Sequence, residues 1–468
     1  MTLIIVVIFV LGCVLIATEN LTNINKAAVA MFVGTLGWML YIAYGTDFVM
    51  AQHPDEYLAF LHGAAPSSTA VKEFIAQNIF LKYVGRASEI VLFLIATMTI
   101  VEILNNNGCF DFVRQLLKTR SSRRMLWMLS VTTLVISANL DNLTTTTMML
   151  VLTRGIISTR RQRLIYGSAI VLAANCGGAL TVIGNPAGLV LWNIGAVTPT
   201  NYSMTLLIPC LTAWIIPTWW LGRSLPERVE GEWITMPYRG DDTRLTPWQR
   251  LLMLFVGIGG LWFIPSFHSI TKLSPFLGAL CVLSVLWIVN EIFNRKLMNV
   301  DKLIQRPTLR ALQYGTIKMI LFVMGFMLAV GVLEESGVLG QFADLMEREV
   351  HDVWFTGLLT AGVSAFLDNF ATAMSMISLH DIVDVETLAR GLDGGYLHQF
   401  VQNGSYWKIM AYASAIGGNI LCTGSLSGLA LMKVEHMHVG WYFKTVGIKA
   451  ALGGLCGFVA MWLIIYFS

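Results

Sequence analysis

The chain reads as an all-α polytopic membrane protein built from two inverted-topology repeats, each with a re-entrant helical hairpin and a broken transmembrane helix. Three observations predict this: a shortage of charge, apolar runs of spanning length along the whole sequence, and two polar segments that recur in the same order in both halves. Charged residues make up 13% of the 468 residues and mean hydropathy is +0.67. Soluble domains carry roughly 25% charged residues, so this surface is not one that faces water all round. The net charge of +3 is small and suggests no nucleic-acid partner.

Apolar runs cover residues 2–17, 27–44, 86–104, 205–222, 273–290, 313–333 and 441–467, most of them close to the roughly 20 residues that a spanning helix needs. The first run has no basic residue before it and no small-residue cleavage site after it in Ala17-Thr18-Glu19-Asn20, so it is expected to be a retained helix. Basic clusters at Lys118–Arg124, Arg154–Arg163, Arg223–Arg250 and Arg295–Arg310 are expected to be cytoplasmic. The first two bracket residues 125–153, too few for two spans, so the segment should enter and leave on one side with Ser137–Thr147 at its tip. Residues 352–380 should dip in likewise from the opposite face. Counting outward places 18–26 and 223–249 inside, and 45–85, 196–204, 265–272 and 334–404 outside, with both termini outside. The organisation expected is a first repeat over 1–222 (hairpin 125–153, broken helix 164–195), a cytoplasmic linker over 223–249, and a second repeat over 250–468 (hairpin 352–380, broken helix 406–432).

The repeat is visible residue by residue. Ser137-Ala138-Asn139-Leu140-Asp141-Asn142 returns as Ser364-Ala365-Phe366-Leu367-Asp368-Asn369, and Ala173–Leu189 aligns without gaps to Ala413–Leu429 through Gly177-Gly178, Gly184 and Gly188 against Gly417-Gly418, Gly424 and Gly428. Two matches in one order, in segments of opposite expected orientation, describe an inverted repeat with its binding site near the midplane. Gly184-Asn185-Pro186 and Gly424-Ser425 are where an apolar helix can unwind and free carbonyls for a cation. Gly177 and Gly417 serve equally well as close-packing residues.

Asp141 and Asp368 are the leading individual signals, since a carboxylate at membrane depth is costly and by default marks an ion or proton path. The plainer alternative is a turn or N-cap role. Ser137, Asn139, Asn142, Thr144 and Thr145 at one tip, and Ser364, Asn369 and Thr372 at the other, supply oxygens, to which Gly184, Asn185, Gly424 and Ser425 at the breaks can add. An oxygen-only set suits a hard cation, with Na⁺ expected at Asp141, Asn142, Asp368 and Asn369. A buried acid can hold either a proton or a cation on the same oxygens. Glu102, near a span end, is a second candidate for proton entry. Lys318 and Lys449 can snorkel and receive no role. The seven scattered cysteines, none in a CxxC pair, read as packing residues.

With these motifs assembled, the DNLTTT tip, the AANCGG…IG helix, the second DN tip and AYASAIGGNILCTGSLSGLALMKVE resemble the NhaD-type Na⁺/H⁺ antiporters, within the superfamily that includes divalent anion/sodium symporters. The resemblance runs from about Glu102 to Glu435. It implies a homodimer in the plasma membrane (the inner membrane of a bacterium), with a scaffold domain and an elevator-like transport domain of two hairpins and two broken helices. It also implies that Asp141, Asn142, Thr144, Asp368 and Asn369 match the cation and proton site, with no cofactor beyond the transported Na⁺ (or Li⁺) and H⁺. One departure stands out: Gly184-Asn185-Pro186-Ala187 replaces the family's Gly-Asp and Thr-rich run, toward the Gly-x-Pro of the anion symporters. The readings weighed are Na⁺/H⁺ exchange, Na⁺-coupled uptake of a dicarboxylate or similar anion, and a receptor or assembly subunit that transports nothing.

Overall fold

Residues 2–62, 65–113, 117, 119–229, 245–294, 308–384 and 394–467 are described by a computed structural model. The acidic and basic part of the linker (230–244) and residues 295–307 of the last basic cluster lie outside the described residues. Among the described residues the chain is helical with no strand, and the lone bridge joins Ser121 to Arg228. Eight of the described helices are long and apolar enough to cross a bilayer.

In chain order the helices that matter are α1 (Thr2–Ala17), α2 (Lys26–Ala43), α3 (Ser68–Asn106), α4 (Ser122–Ser137), α5 (Asn142–Ile156), α6 (Arg160–Leu180), α7 (Pro186–Asn193) and α8 (Pro199–Gly222). After the linker come α9 (Pro247–Thr271), α10 (Pro275–Asn294), α11 (Thr308–Glu335), α12 (Val353–Phe366), α13 (Asn369–Ile377), α14 (Ser405–Gly417), α15 (Leu426–Glu435) and α16 (Val439–Phe467). Helix α3 begins well before the apolar run that announces it. Ser67 caps it by accepting from the Ala70 amide at 3.1 Å, and Val71, Phe74 and Ile75 bury an amphipathic face that average hydropathy does not register.

The packing separates two groups. Helix α2 packs on α1 and α11, α3 on α10 and α11, and α9 on α10; in the other group α4 and α5 pack on α6, α12 and α13 on α14, α15 on α5 and α6, and α8 on α16. Helix α6 is the centre of the second group, with 89% of its apolar window buried, against 22% for α9 at the periphery. Close crossings rest on glycine, the usual device where no hydrophobic effect drives helices together in lipid. A Cβ on Gly325 of α11 would lie 2.5 Å from the Met31 amide nitrogen of α2, and one on Gly34 would lie 2.7 Å from the Gly325 carbonyl. Gly325→Val is expected to push α2 and α11 apart and cost roughly 1–3 kcal/mol, read as a lowered unfolding temperature in detergent; an unchanged temperature would contradict this crossing. In α8, Pro217 leaves the Ala213 carbonyl without its helical donor, and Gly453 of α16 lets that helix approach the same carbonyl.

Loops expected on one side lie together. At one end the Ser122 amide donates to the Glu227 carbonyl at 3.2 Å, Arg163 pairs with Glu435 at 3.0 Å, and Lys433 reaches Glu19 at 3.1 Å. At the other, the Asn403 amide donates to the Ala196 carbonyl at 2.8 Å and the Asn403 side chain accepts from the Thr198 amide at 2.7 Å.

Candidate functional site

Helix α4 stops at Ser137 and α5 starts at Asn142, leaving a short break whose last residue is Asp141. The first amides of a helix have no partner within it, and a short acidic side chain satisfies them. Asp141 does so, accepting from the Leu143 amide at 3.2 Å, the Thr144 amide at 2.8 Å and the Thr144 hydroxyl at 2.7 Å. Asp368 stands in the same relation to α13 and accepts from the Phe370 amide at 3.0 Å. The capping role is therefore real at both tips. Capping alone does not call for burial, yet Asp141 is 5% and Asp368 3% exposed, and buried carboxylates demand further compensation.

That compensation differs between the two. Asp368 receives Lys26, whose Nζ lies 2.5 Å from Oδ2 and 4.6 Å from the centre of the Phe322 ring. Asp141 has no ion pair among the described residues. Further along α5 the Thr145 and Thr146 hydroxyls are buried without a hydrogen-bond partner.

The two tips converge on one break, the segment between α14 and α15. The Asn142 side-chain amide donates to Asn175 Oδ1 at 3.2 Å, and Asn175 Nδ2 donates to Asn419 Oδ1 at 2.9 Å and to Ser425 Oγ at 3.0 Å. Ser427 Oγ donates to the Asn142 carbonyl at 3.2 Å, while the Asn369 amide donates to the Gly424 carbonyl at 3.0 Å. Residues 424–427 thus touch both acid-bearing helix starts. Asn175→Ala would leave three buried polar partners short of a bond, at about 1–3 kcal/mol for each group left unsatisfied. The expected outcome is a clearly lowered unfolding temperature, and a variant as stable as the parent would show that the network carries no weight.

Contacts around the breaks repeat as the sequence does. Ser137 Oγ donates to the Ala174 carbonyl at 2.7 Å and Ser364 Oγ to the Ser414 carbonyl at 2.6 Å. A Cβ on Gly177 would strike the Leu134 carbonyl, and one on Gly417 the Ala361 carbonyl. A Cβ on Gly178 would sit 2.9 Å from the Gly184 oxygen and one on Gly418 2.8 Å from the Gly424 oxygen. Asn185 caps α7 by accepting from the Gly188 amide at 2.8 Å, and Ser425 caps α15 by accepting from the Gly428 amide at 3.1 Å. The glycines are needed because backbone passes against backbone at each break.

Of the residues expected at the site, Asp141, Asn142, Thr144, Thr145, Ser137, Asp368, Asn369, Ser364, Thr372, Gly184, Asn185, Gly424 and Ser425 all lie at these tips and breaks. Thr372 donates to the Asp368 backbone carbonyl at 3.1 Å rather than to its carboxylate. Asn139 does not join the buried cluster. Its amide donates to the Val135 carbonyl at 2.8 Å and its oxygen accepts from the Trp262 indole of α9. Glu102 is half-buried on α3 with one oxygen unpartnered, and no contact ties it to the tips. Lys26, Asn175 and Asn419 are the residues that reading the sequence missed. A lysine as the first residue of a helix opposes the positive end of the helix dipole, and that misfit was the available signal for Lys26. Beside α13 lies a cavity of about 270 Å³ lined in part by Tyr83, Arg86, Asn193, Glu334, His380 and Asp381.

Comparison with known proteins fits this geometry. The sequence pattern of the family described as citrate transporter matches residues 6–417. The chain belongs to that family. It is a multi-pass integral membrane transporter and not an enzyme. Relatives of this citrate transporter family member include sodium/proton antiporter 1 of Arabidopsis thaliana, 30% identical over 80% of this chain and 62% of the relative. The chain thus spans less than two thirds of that protein. Sodium/proton antiporter 2 of the same plant is 29% identical over 80% of this chain and 84% of the relative. The Na⁺/H⁺ antiporter NhaD of Vibrio cholerae is 20% identical over 92% of this chain and 84% of the relative, in keeping with the resemblance that the tips and glycine frames carry.

Proposed function

We propose that this citrate transporter family member exchanges Na⁺ (or Li⁺) for protons, with Asp141 and Asp368 as the groups that hold cation and proton in turn. The observation that carries the reading is the meeting, on the single break at 424–427, of the two helix starts that the buried Asp141 and Asp368 cap. A carboxylate that loses solvation favours its protonated form, while a cation on the same oxygens favours the ionised form, so binding of one expels the other. The buried, unpartnered Thr145 Oγ1, the remaining lone pairs of Asp141 and the carbonyls of the interrupted helices are oxygens of the kind hard ions take. The relatives named as sodium/proton antiporters point the same way.

The pairing of α2 with α11 and of α3 with α10, and the matching contacts at the two breaks, support an inverted repeat with hairpins at 125–153 and 352–380 and broken helices at 164–195 and 406–432. In this reading 1–222 and 250–468 are the repeats, and the group centred on α6 moves against α2, α3, α9, α10 and α11 as an elevator in each protomer of a homodimer. Uptake of a carboxylate with Na⁺ is the second reading, favoured by the family's description and by Asn185-Pro186 at the start of α7, whose amides suit an anion. Purified protein in liposomes decides between them. A Na⁺ gradient should drive proton movement with no carboxylate present; a Na⁺ response that needs citrate, with no proton flux in its absence, would overturn antiport in favour of symport.

A further inference from the structure

Lys26 begins α2, which packs on α11, whereas Asp368 caps α13, which belongs to the group around α14. Their ion pair is therefore a bond between the two groups of helices, and it is buried on both sides, with Lys26 5% exposed. We propose that Lys26 is a built-in cation that occupies the Asp368 carboxylate when no ion is bound, so that the transported cation must displace it and thereby free the tip of α13 from α2. The proposal rests on the antiport reading and adds to it the competitor for one of its two acids.

The ammonium and a hard cation seek the same oxygens. Two unit positive charges about 4 Å apart repel by roughly 4 kcal/mol at an effective dielectric of 20, so the carboxylate takes one or the other. Lys26 is held where it is chiefly by that carboxylate, with a weaker attraction from the face of the Phe322 ring, against the positive end of its own helix. Next to Asp368, Phe370 packs against Phe322 and Phe326 with ring centres 6.2 and 6.4 Å apart. These apolar contacts can slide, leaving the ion pair as the directional bond at this seam. Asp141, with its helix amides and the Thr144 hydroxyl, has no such internal competitor among the described residues. One acid is thus open to an ion, and the other is guarded by a residue of the opposite helix group.

The test is the KM for Na⁺ of proton exchange in liposomes for the wild type, Lys26→Gln and Lys26→Arg. Removing the competitor should lower KM several-fold in Lys26→Gln, and Na⁺ should then raise its unfolding temperature more than that of the wild type. Arginine, permanently charged and able to grip a carboxylate with two donors, should raise KM several-fold. A merely structural ion pair would leave Lys26→Gln slower with KM unchanged or higher, and that result overturns the proposal. If Lys26→Gln does not accumulate, Lys26→Arg against wild type decides, with an unchanged or lower KM counting against it. A wild type whose proton flux ignores Na⁺ removes the antiport reading itself and this proposal with it; a Na⁺-driven wild type with KM indifferent to residue 26 removes the proposal alone.

Discussion

Asp141→Asn is expected to abolish Na⁺-driven proton exchange while leaving the protein folded. Asparagine caps helices as well as aspartate does, so its one side-chain oxygen keeps the Thr144 amide satisfied, while the Leu143 amide, which bonds the other carboxylate oxygen, gives up its acceptor. What disappears is the charge. A cation about 4 Å from a unit negative charge gains roughly 4 kcal/mol at an effective dielectric of 20, and at 1.4 kcal/mol per factor of ten its loss amounts to between two and three orders of magnitude in affinity. The variant also cannot carry a proton at this position. Transport in liposomes alongside an unfolding curve checks both halves. A stable variant that retains more than about a tenth of the wild-type exchange would remove Asp141 from the ion path, because the Coulomb estimate leaves no room for so small an effect.

Asp368→Asn should behave differently, and the difference comes from Lys26. Asparagine can still accept from the Phe370 amide, but it strands a buried ammonium. Removing one partner of a buried ion pair costs roughly 3–5 kcal/mol. The expected result is a sharply lower unfolding temperature for Asp368→Asn, whereas Asp141→Asn stays close to the wild type. Adding Lys26→Met removes the stranded charge and should restore most of the loss, since each change removes the same interaction and the two are coupled. Equal stability of the two single variants would mean that Lys26 does not neutralise Asp368.

The acids were legible in the sequence because the repeat displays them twice. Ser137-Ala138-Asn139-Leu140-Asp141-Asn142 and its partner fix both tips, and the glycine frames fix both breaks, because backbone-on-backbone contact at Gly178 and Gly418 tolerates no side chain. Asn139 departs from this pattern: its counterpart Phe366 is 65% exposed, whereas Asn139 is half-buried and bonded to the Trp262 indole. Lys26 could not be found from the repeat, since it stands 342 residues from its partner and ends a polar linker like any snorkelling lysine. Asn175 and Asn419 lie within the aligned segments, but their counterparts are Ala415 and Ala179. They link the halves through residues that the two halves do not share, which self-comparison cannot reveal. The early start of α3 was hidden for another reason: an amphipathic stretch with Lys72 and Glu73 on its wet face reads as loop when hydropathy is averaged.

The most direct measurement is the proton count on Na⁺ binding. Purified protein in weakly buffered detergent solution is titrated with NaCl, with choline chloride as the control, and the change in pH is recorded. Two acids that exchange H⁺ for Na⁺ on shared oxygens predict proton release that saturates with Na⁺ and is diminished in Asp141→Asn. Saturable Na⁺ binding without any proton release, or release undiminished in Asp141→Asn, would contradict it.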